Sequence, residues 1–97
     1  MSKSFVIYYT PGASWKTDKP FMEQDLRAHG AYMKELYDKD QLTHGGPFLD
    51  STGGMSIIRA EDMDEAKAIL AADPAIINGV FKATLHPWFS VDWDSYG

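Results

Sequence analysis

The chain of 97 residues contains no cysteine, which excludes disulfide bonds, thiolate catalysis and cysteine-based zinc sites. Basic residues are also few, because nine lysines and arginines stand against fourteen acidic residues and leave a net charge of -5. Non-specific affinity for nucleic acids depends on clustered lysine and arginine, and here those residues are scattered. We therefore expect no nucleic-acid partner.

Long apolar runs are missing as well, since no stretch approaches the roughly 18 residues of a membrane span. The first ten residues, MSKSFVIYYT, lead directly into a strand-like segment, without a charged leader or a small-residue cleavage site. These absences predict a soluble, cytoplasmic protein that does not contact a membrane.

The sequence also lacks a phosphate-binding loop. The Gly-Gly pairs at residues 45–46 and 53–54 have neither the further glycines and lysine nor the following helix of such a loop. Ser14, Ser51 and Ser56 lie outside any nucleophile-elbow context, which disfavours a serine hydrolase. We therefore predict no cofactor.

Hydrophobic residues make up 44% of the chain and aromatic residues 13%, which is enough for one hydrophobic core. A chain of 97 residues is too short for a second core. We expect a single domain over residues 1–97. Its core should cover about residues 4–89, and residues 90–97 should form a tail that mixes aromatic and acidic side chains.

Local patterns predict four strands and two helices. Residues 5–9 (FVIYY) form a strand, residues 11–19 a loop, and residues 20–40 a long helix with Asp18 as its N-cap. Residues 42–49 and 55–60 form a hairpin, with a bulge or close backbone approach at residues 45–47.

The second helix begins after Asp62, which forms a capping box with Glu65, and ends near Asp73. A short turn over residues 75–78 and a C-capping Gly79 lead to a last strand over residues 80–88.

The resulting order, βαββαβ, is that of the α+β ferredoxin-like fold, a four-stranded antiparallel sheet with two helices on one face. The other face would carry apolar side chains such as Val6, Tyr8 and Trp88. Because exposed apolar patches of this kind mark interfaces, we expect a homodimer in which two sheets face each other.

His29 occupies a position where the helical pattern calls for an apolar residue. It lies on the stripe formed by Met22, Leu26, Met33 and Leu36. A buried imidazole needs a hydrogen-bond partner, so this residue is either a satisfied core histidine or a working acid or base.

Asp73 is a second unexpected residue, because a carboxylate in the last turn of a helix is disfavoured by the helix dipole. One interpretation is structural: the carboxylate caps the next short turn by accepting backbone hydrogen bonds from around Ile76. The other is that it holds one nitrogen of an imidazole, which fixes the tautomer and prepares the histidine for proton transfer.

Other titratable residues are weaker candidates. Asp25 lies four residues before His29, a spacing more typical of a solvated helix face, and Asp50 stands in ordinary turn chemistry. His44 and His86 lie on predicted strands. No helix presents two histidines at metal-ligand spacing, so a metal site is not expected.

Several segments, in this order and spacing, resemble the YciI-like, or YCII-related, domain. They are His29 with Tyr32 and Leu36 after it, GGPFLD at residues 45–50, ADPAIINGVF at residues 72–81 and HPW at residues 86–88. The resemblance extends from residue 5 to residue 88. It implies a ferredoxin-like fold, a dimeric α+β barrel and an active site of one histidine and one aspartate.

By position, the family histidine corresponds to His29 and the family aspartate to Asp73, with Asp50 at an acidic position that members often have. One relative resembles a dehydrochlorinase of a hydroxylated, chlorinated aromatic compound. The sequence departs from the family at His86, where members often carry a basic residue, and in its aromatic tail.

The leading hypothesis is a small cofactor-independent enzyme in which His29 is the general base or acid and Asp73 orients it. Phe48, Trp15 and Tyr8 are predicted as apolar walls for a small substrate, with His44, His86 and Asp50 as further pocket residues. The alternative is a non-enzymatic ligand-binding or dimerisation module, with His29 and Asp73 as a buried structural pair. A monooxygenase of the same barrel type rests on fold analogy alone.

Overall fold

A computed structural model of the chain describes residues 2–97. Four strands form one antiparallel sheet in the spatial order β2-β3-β1-β4, which confirms the ferredoxin-like α+β prediction. The elements are β1 (Lys3–Pro11), α1 (Arg27–Asp38), β2 (Leu42–Pro47), β3 (Gly54–Ala60), α2 (Met63–Ala71), α3 (Pro74–Ile77) and β4 (Phe81–Trp88), with 3-10 turns at Phe21–Glu23 and Trp93–Ser95.

The core lies between the helices and one face of the sheet. Alternation along the two central strands places every second side chain on that face, among them Phe5, Ile7 and Ile58, which are almost fully buried. Leu36 from α1 and Ile69 from α2 pack against them as members of the same buried cluster.

The first helix is shorter than predicted, because it begins at Arg27 rather than near residue 20. Asp18 has a φ of 65° and is not an extended N-cap, and Met22 is 78% exposed and lies off the apolar stripe. The buried side chain of Gln24 explains the difference. Its Oε1 accepts from Lys16 N at 2.7 Å, and its Nε2 donates to the carbonyls of Lys16 and Lys19, both at 2.9 Å. These contacts bind residues 16–24 together as a loop.

β2 ends at Pro47, two residues earlier than predicted, and the register shift lies between Leu42 and His44 rather than at residues 45–47, where a bulge was one expectation. A close backbone approach does occur at residue 46, because a Cβ on Gly54 would lie 2.7 Å from the carbonyl oxygen of Gly46. The two backbones could therefore not pair so closely with a larger residue at Gly54.

The second helix follows the predicted cap, with Asp62 Oδ1 accepting from Glu65 N at 2.9 Å. It ends at Ala71, and residues 74–77 form the separate short helix α3 where a turn was expected. Gly79, with a φ of 74°, closes that turn as predicted. Asp73 therefore lies between α2 and α3, at the N-terminus of α3.

The other face of the sheet carries apolar side chains at the surface, as expected. Tyr8 and Trp88 are each 44% exposed, and Val6 and Ile57 lie opposite each other on paired strands. Among residues 2–97, none of the helices has the length and apolar character needed to cross a membrane.

Candidate active site

His29 and Asp73 are in direct contact, although 44 residues separate them in the sequence. Nδ1 of His29 lies 2.9 Å from Oδ1 and 2.8 Å from Oδ2 of the carboxylate. Asp73 is 1% exposed, and the His29 side chain retains 17% exposure. The two polar residues that stood out in apolar surroundings are therefore each other's partners.

Asp73 is held in place by its position at the start of α3. It is the N-cap of that helix, and its Oδ1 accepts from Ala75 N at 2.9 Å, while Pro74 occupies the first helical turn. The two interpretations of Asp73 are thus compatible, because the same carboxylate caps a helix and binds an imidazole. The cap holds the carboxylate in the position where it contacts His29.

The contact with Asp73 determines which nitrogen of His29 carries the hydrogen. A carboxylate accepts hydrogen bonds, so Nδ1 is the donor, and in the neutral imidazole the lone pair is then on Nε2. Within residues 2–97, Nε2 has no hydrogen-bonding partner. The imidazole stands edge-on to the rings of Tyr9 and Phe81, with centroid distances of 5.5 and 5.6 Å. The ring is therefore oriented with Nε2 on the edge away from Asp73.

A cavity of about 280 Å³ borders His29. Most of its lining is apolar or backbone, and its polar side chains within the described residues are those of His29, Tyr9 and Ser56. The full lining is Tyr9, Phe21, Leu26, His29, Gly30, Met33, Gly45, Gly46, Pro47, Gly54, Met55, Ser56 and Phe81. A ligand of about one ring would fit beside the imidazole.

Tyr9 and Ser56 form a buried hydroxyl pair at this cavity, with 2.7 Å between the phenol oxygen and Oγ. Burial is the main reason that the pKa of Tyr9 is raised far above its ordinary value of 10.0. Sequence analysis missed both residues as site residues. A signal was present, because each places a hydroxyl on the otherwise apolar inner side of a central strand.

The three predicted apolar walls do not line this cavity. Trp15 stacks on Phe81 at 5.6 Å, on a ring that itself lines the cavity. Tyr8 and Phe48 contact each other at 5.7 Å, and Tyr8 points to the opposite face of the sheet from Tyr9. Alternation along β1 explains this, because adjacent residues of a strand face opposite sides.

The remaining candidates lie outside the cavity lining. Asp50 is exposed and accepts from the backbone N and the hydroxyl of Thr52, which lowers the pKa of its carboxyl. His44 is exposed, and His86 is exposed with its Nε2 2.8 Å from the hydroxyl of Thr84. Across residues 2–97, no three acidic or histidine side chains cluster as metal ligands would.

Comparison with known proteins gives three findings. The profile of the YCII-related domain matches residues 1–88. The uncharacterised protein YjpA of Bacillus subtilis (strain 168) is 33% identical over 73 residues, which cover 75% of this chain and 85% of that protein. The structure of the 5-chloro-2-hydroxyhydroquinone dehydrochlorinase TftG of Burkholderia phenoliruptrix AC1100, in complex with 2,5-dihydroxybenzoquinone, superposes with a TM-score of 0.71 and 27% identity, covering 91% of this chain and 95% of TftG.

Proposed function

The chain belongs to the YCII-related family, and from this premise we propose that it is a small cofactor-independent enzyme of acid-base chemistry. His29 is the general base or acid, Asp73 orients it, and the substrate is a small organic molecule. The observation that carries the proposal is the buried contact of Nδ1 with both carboxylate oxygens, which leaves Nε2 free on a ring that lines a cavity.

The reaction class that fits this arrangement is elimination or isomerisation through proton abstraction. Nε2 of His29 takes a proton from the substrate, and the electron pair of the broken bond forms a new π bond. In an elimination the leaving group, chloride in a dehydrochlorination, departs with the electron pair of its own bond. The imidazolium then returns its proton to water, so no oxidant or reductant is consumed.

Asp73 contributes by stabilising the imidazolium that forms on proton transfer. The carboxylate is almost fully buried, and a charge-assisted hydrogen bond is stronger there than in water. General acid-base catalysis of this kind typically contributes about 10² to 10⁴ in rate. The helix cap at Ala75 N keeps the carboxylate in position through the cycle.

The cavity supports a substrate of about one aromatic ring. Its volume of about 280 Å³ lies at the lower end for small-molecule sites, and Leu26, Met33 and Phe81 give it an apolar lining. TftG, a relative in fold and sequence, acts on a chlorinated hydroquinone and binds a dihydroxybenzoquinone. Hydroxylated and halogenated rings are therefore the first compounds to try.

A homodimer is part of the proposal, with two sheets packed through their uncovered faces. The apolar side chains of Val6, Tyr8 and Trp88 on that face support it, since such patches usually mark interfaces. The His29 cavity lies on the other side of the sheet, so this contact would leave it accessible.

The test is chloride release from 5-chloro-2-hydroxyhydroquinone under anaerobic conditions, followed for the wild type, His29→Gln and His44→Gln. We expect at least a 10²-fold lower rate for His29→Gln, while His44→Gln, whose histidine lies outside the cavity lining, keeps the wild-type rate. Equal rates for wild type and His29→Gln would refute the catalytic role. Binding of 2,5-dihydroxybenzoquinone without turnover of any halogenated or enolisable ring would favour the non-enzymatic ligand-binding module instead.

A further inference from the structure

We propose that Tyr9 is a second catalytic residue, whose hydroxyl donates a hydrogen bond to the substrate oxygen that gains negative charge as His29 removes a proton. Ser56 is the positioning residue that orients this hydroxyl. The inference rests on the proposed function. It assigns a role to the polar group that faces His29 from the sheet.

The hydrogen count of the hydroxyl pair supports a free donor. Tyr9 and Ser56 bring one hydroxyl hydrogen each, and the bond between them at 2.7 Å uses only one. No other hydrogen bond of either hydroxyl occurs within residues 2–97. Both residues are buried, with Ser56 0% and Tyr9 3% exposed, and when Ser56 donates to Tyr9 the unused hydrogen belongs to the phenol that lines the cavity. The hydrogen of Tyr9 is then available to a ligand.

The protonation state of Tyr9 makes it a donor rather than a base. Burial and the nearby carboxylate of Asp73 both raise its pKa, so the phenol keeps its hydrogen throughout the neutral range. His29 and Tyr9 therefore have complementary roles: Nε2 of the imidazole accepts a proton, and the phenol donates a hydrogen bond.

The fold holds the two groups on different elements around one cavity. His29 reaches it from α1, whereas Tyr9 and Ser56 reach it from the central strands β1 and β3. The ring of Tyr9 is packed between Phe81 at 5.2 Å and His29 at 5.5 Å. A donor fixed in this way needs little reorganisation when negative charge develops beside it.

This arrangement defines the chemical class of the ligand. When a base removes a proton next to a carbonyl or phenolic carbon, the electron pair moves toward the oxygen, which becomes an enolate or phenolate. A hydrogen bond to that oxygen is stronger in the transition state than in the ground state. We therefore expect one small ring that carries an enolisable or ionisable oxygen.

The experiment measures binding of 2,5-dihydroxybenzoquinone, an acidic enol whose anionic oxygens imitate the developing charge. Dissociation constants are determined by calorimetry for the wild type, Tyr9→Phe, Ser56→Ala, the double variant and Tyr37→Phe. We expect Tyr9→Phe to bind about 10- to 100-fold more weakly, because it keeps the ring and loses only the donor. Tyr37, exposed on α1 and outside the cavity, is the matched control, and its variant should bind as the wild type does.

The double variant distinguishes a positioning role for Ser56 from a general structural one. If Ser56 acts through Tyr9, the single variant Ser56→Ala binds more weakly than the wild type, but the double variant binds no more weakly than Tyr9→Phe. If Ser56→Ala causes a general packing defect, its loss of binding free energy adds in full to that of Tyr9→Phe. Full additivity overturns the role of Ser56. The visible absorption of the bound compound should also shift in Tyr9→Phe, since its oxygen loses a hydrogen bond.

The outcomes separate this inference from the proposed function. Wild-type affinity in Tyr9→Phe together with weakened binding in His29→Gln overturns the role of Tyr9 and leaves the base in place. Unchanged affinity in both variants overturns the proposed function as well. Absence of wild-type binding overturns the assigned ligand class, and with it the donor role of Tyr9.

Discussion

Replacing Asp73 by Asn and by Ala separates its two contacts. Asn keeps an oxygen that can accept from Ala75 N, so the cap of α3 is retained. Its amide nitrogen takes the place of Oδ2, 2.8 Å from Nδ1 of His29, and can only donate, whereas the retained Oδ1, 2.9 Å from Nδ1, already accepts from Ala75 N. The pair then favours the opposite tautomer of His29, with hydrogen on Nε2. Ala removes both contacts.

The expected loss of stability differs between the two variants. Asp73→Asn replaces a charge-assisted hydrogen bond by a neutral one, which costs about 1 kcal/mol. Asp73→Ala loses a helix cap, about 1 kcal/mol, and leaves the Nδ1–H of a largely buried histidine without an acceptor, a further 1 to 3 kcal/mol roughly. For a domain of this size each kcal/mol corresponds to about 4–8 °C in Tm.

Thermal unfolding followed by circular dichroism measures the stability of both variants, and ¹⁵N chemical shifts of the imidazole identify the tautomer. We expect Asp73→Ala to lose at least twice the stability of Asp73→Asn. Asp73→Asn should nevertheless lose activity by about 10² or more, because Nε2 no longer carries a lone pair. An unchanged tautomer in Asp73→Asn, or equal stability losses in both variants, would refute this account of the carboxylate.

Two further predictions concern the tyrosine and the open sheet face. The raised folded-state pKa of Tyr9 means that the unfolded chain releases this proton first, so its contribution to stability is complete below about pH 10 and decreases above it by up to about 1.4 kcal/mol per pH unit. Urea titrations from pH 8 to 11 should give a shallower decline for Tyr9→Phe, and identical slopes would contradict the burial effect. For the dimer, Val6→Lys on the open face should yield monomers in sedimentation equilibrium, whereas Ile77→Lys, an exposed position on α3, should not. A monomeric wild type at micromolar concentration would end that proposal.

Most of the fold could be predicted from local patterns. The alternation of apolar residues in β1 and β3 and the capping pair Asp62–Glu65 depend on neighbours within a few residues, so the sequence displays them directly. The start of α1 could not be predicted in this way. Gln24 binds backbone groups of Lys16 and Lys19, and that side-chain bonding outweighs the apparent helical periodicity of residues 20–26.

The candidate site, like the fold, could be predicted only in part. His29 and Asp73 could be identified because a titratable side chain at an apolar position is visible in the sequence, and the family resemblance pointed to the same two residues. The walls of the cavity could not be identified in this way. The predicted walls Tyr8 and Phe48 are apolar and lie near the correct segments, but they face the other side of the sheet.

By itself the sequence determined the order of the elements, the family and the two polar residues that do not fit an apolar face, because burial imposes a periodic pattern that can be read locally. Only the tertiary structure decided the contacts between distant segments. Asp73 meets His29 across 44 residues because α1 packs against α3, and Tyr9 meets Ser56 across 47 because the two central strands pair side by side. Such contacts depend on packing between elements, for which no short stretch of sequence carries a signal.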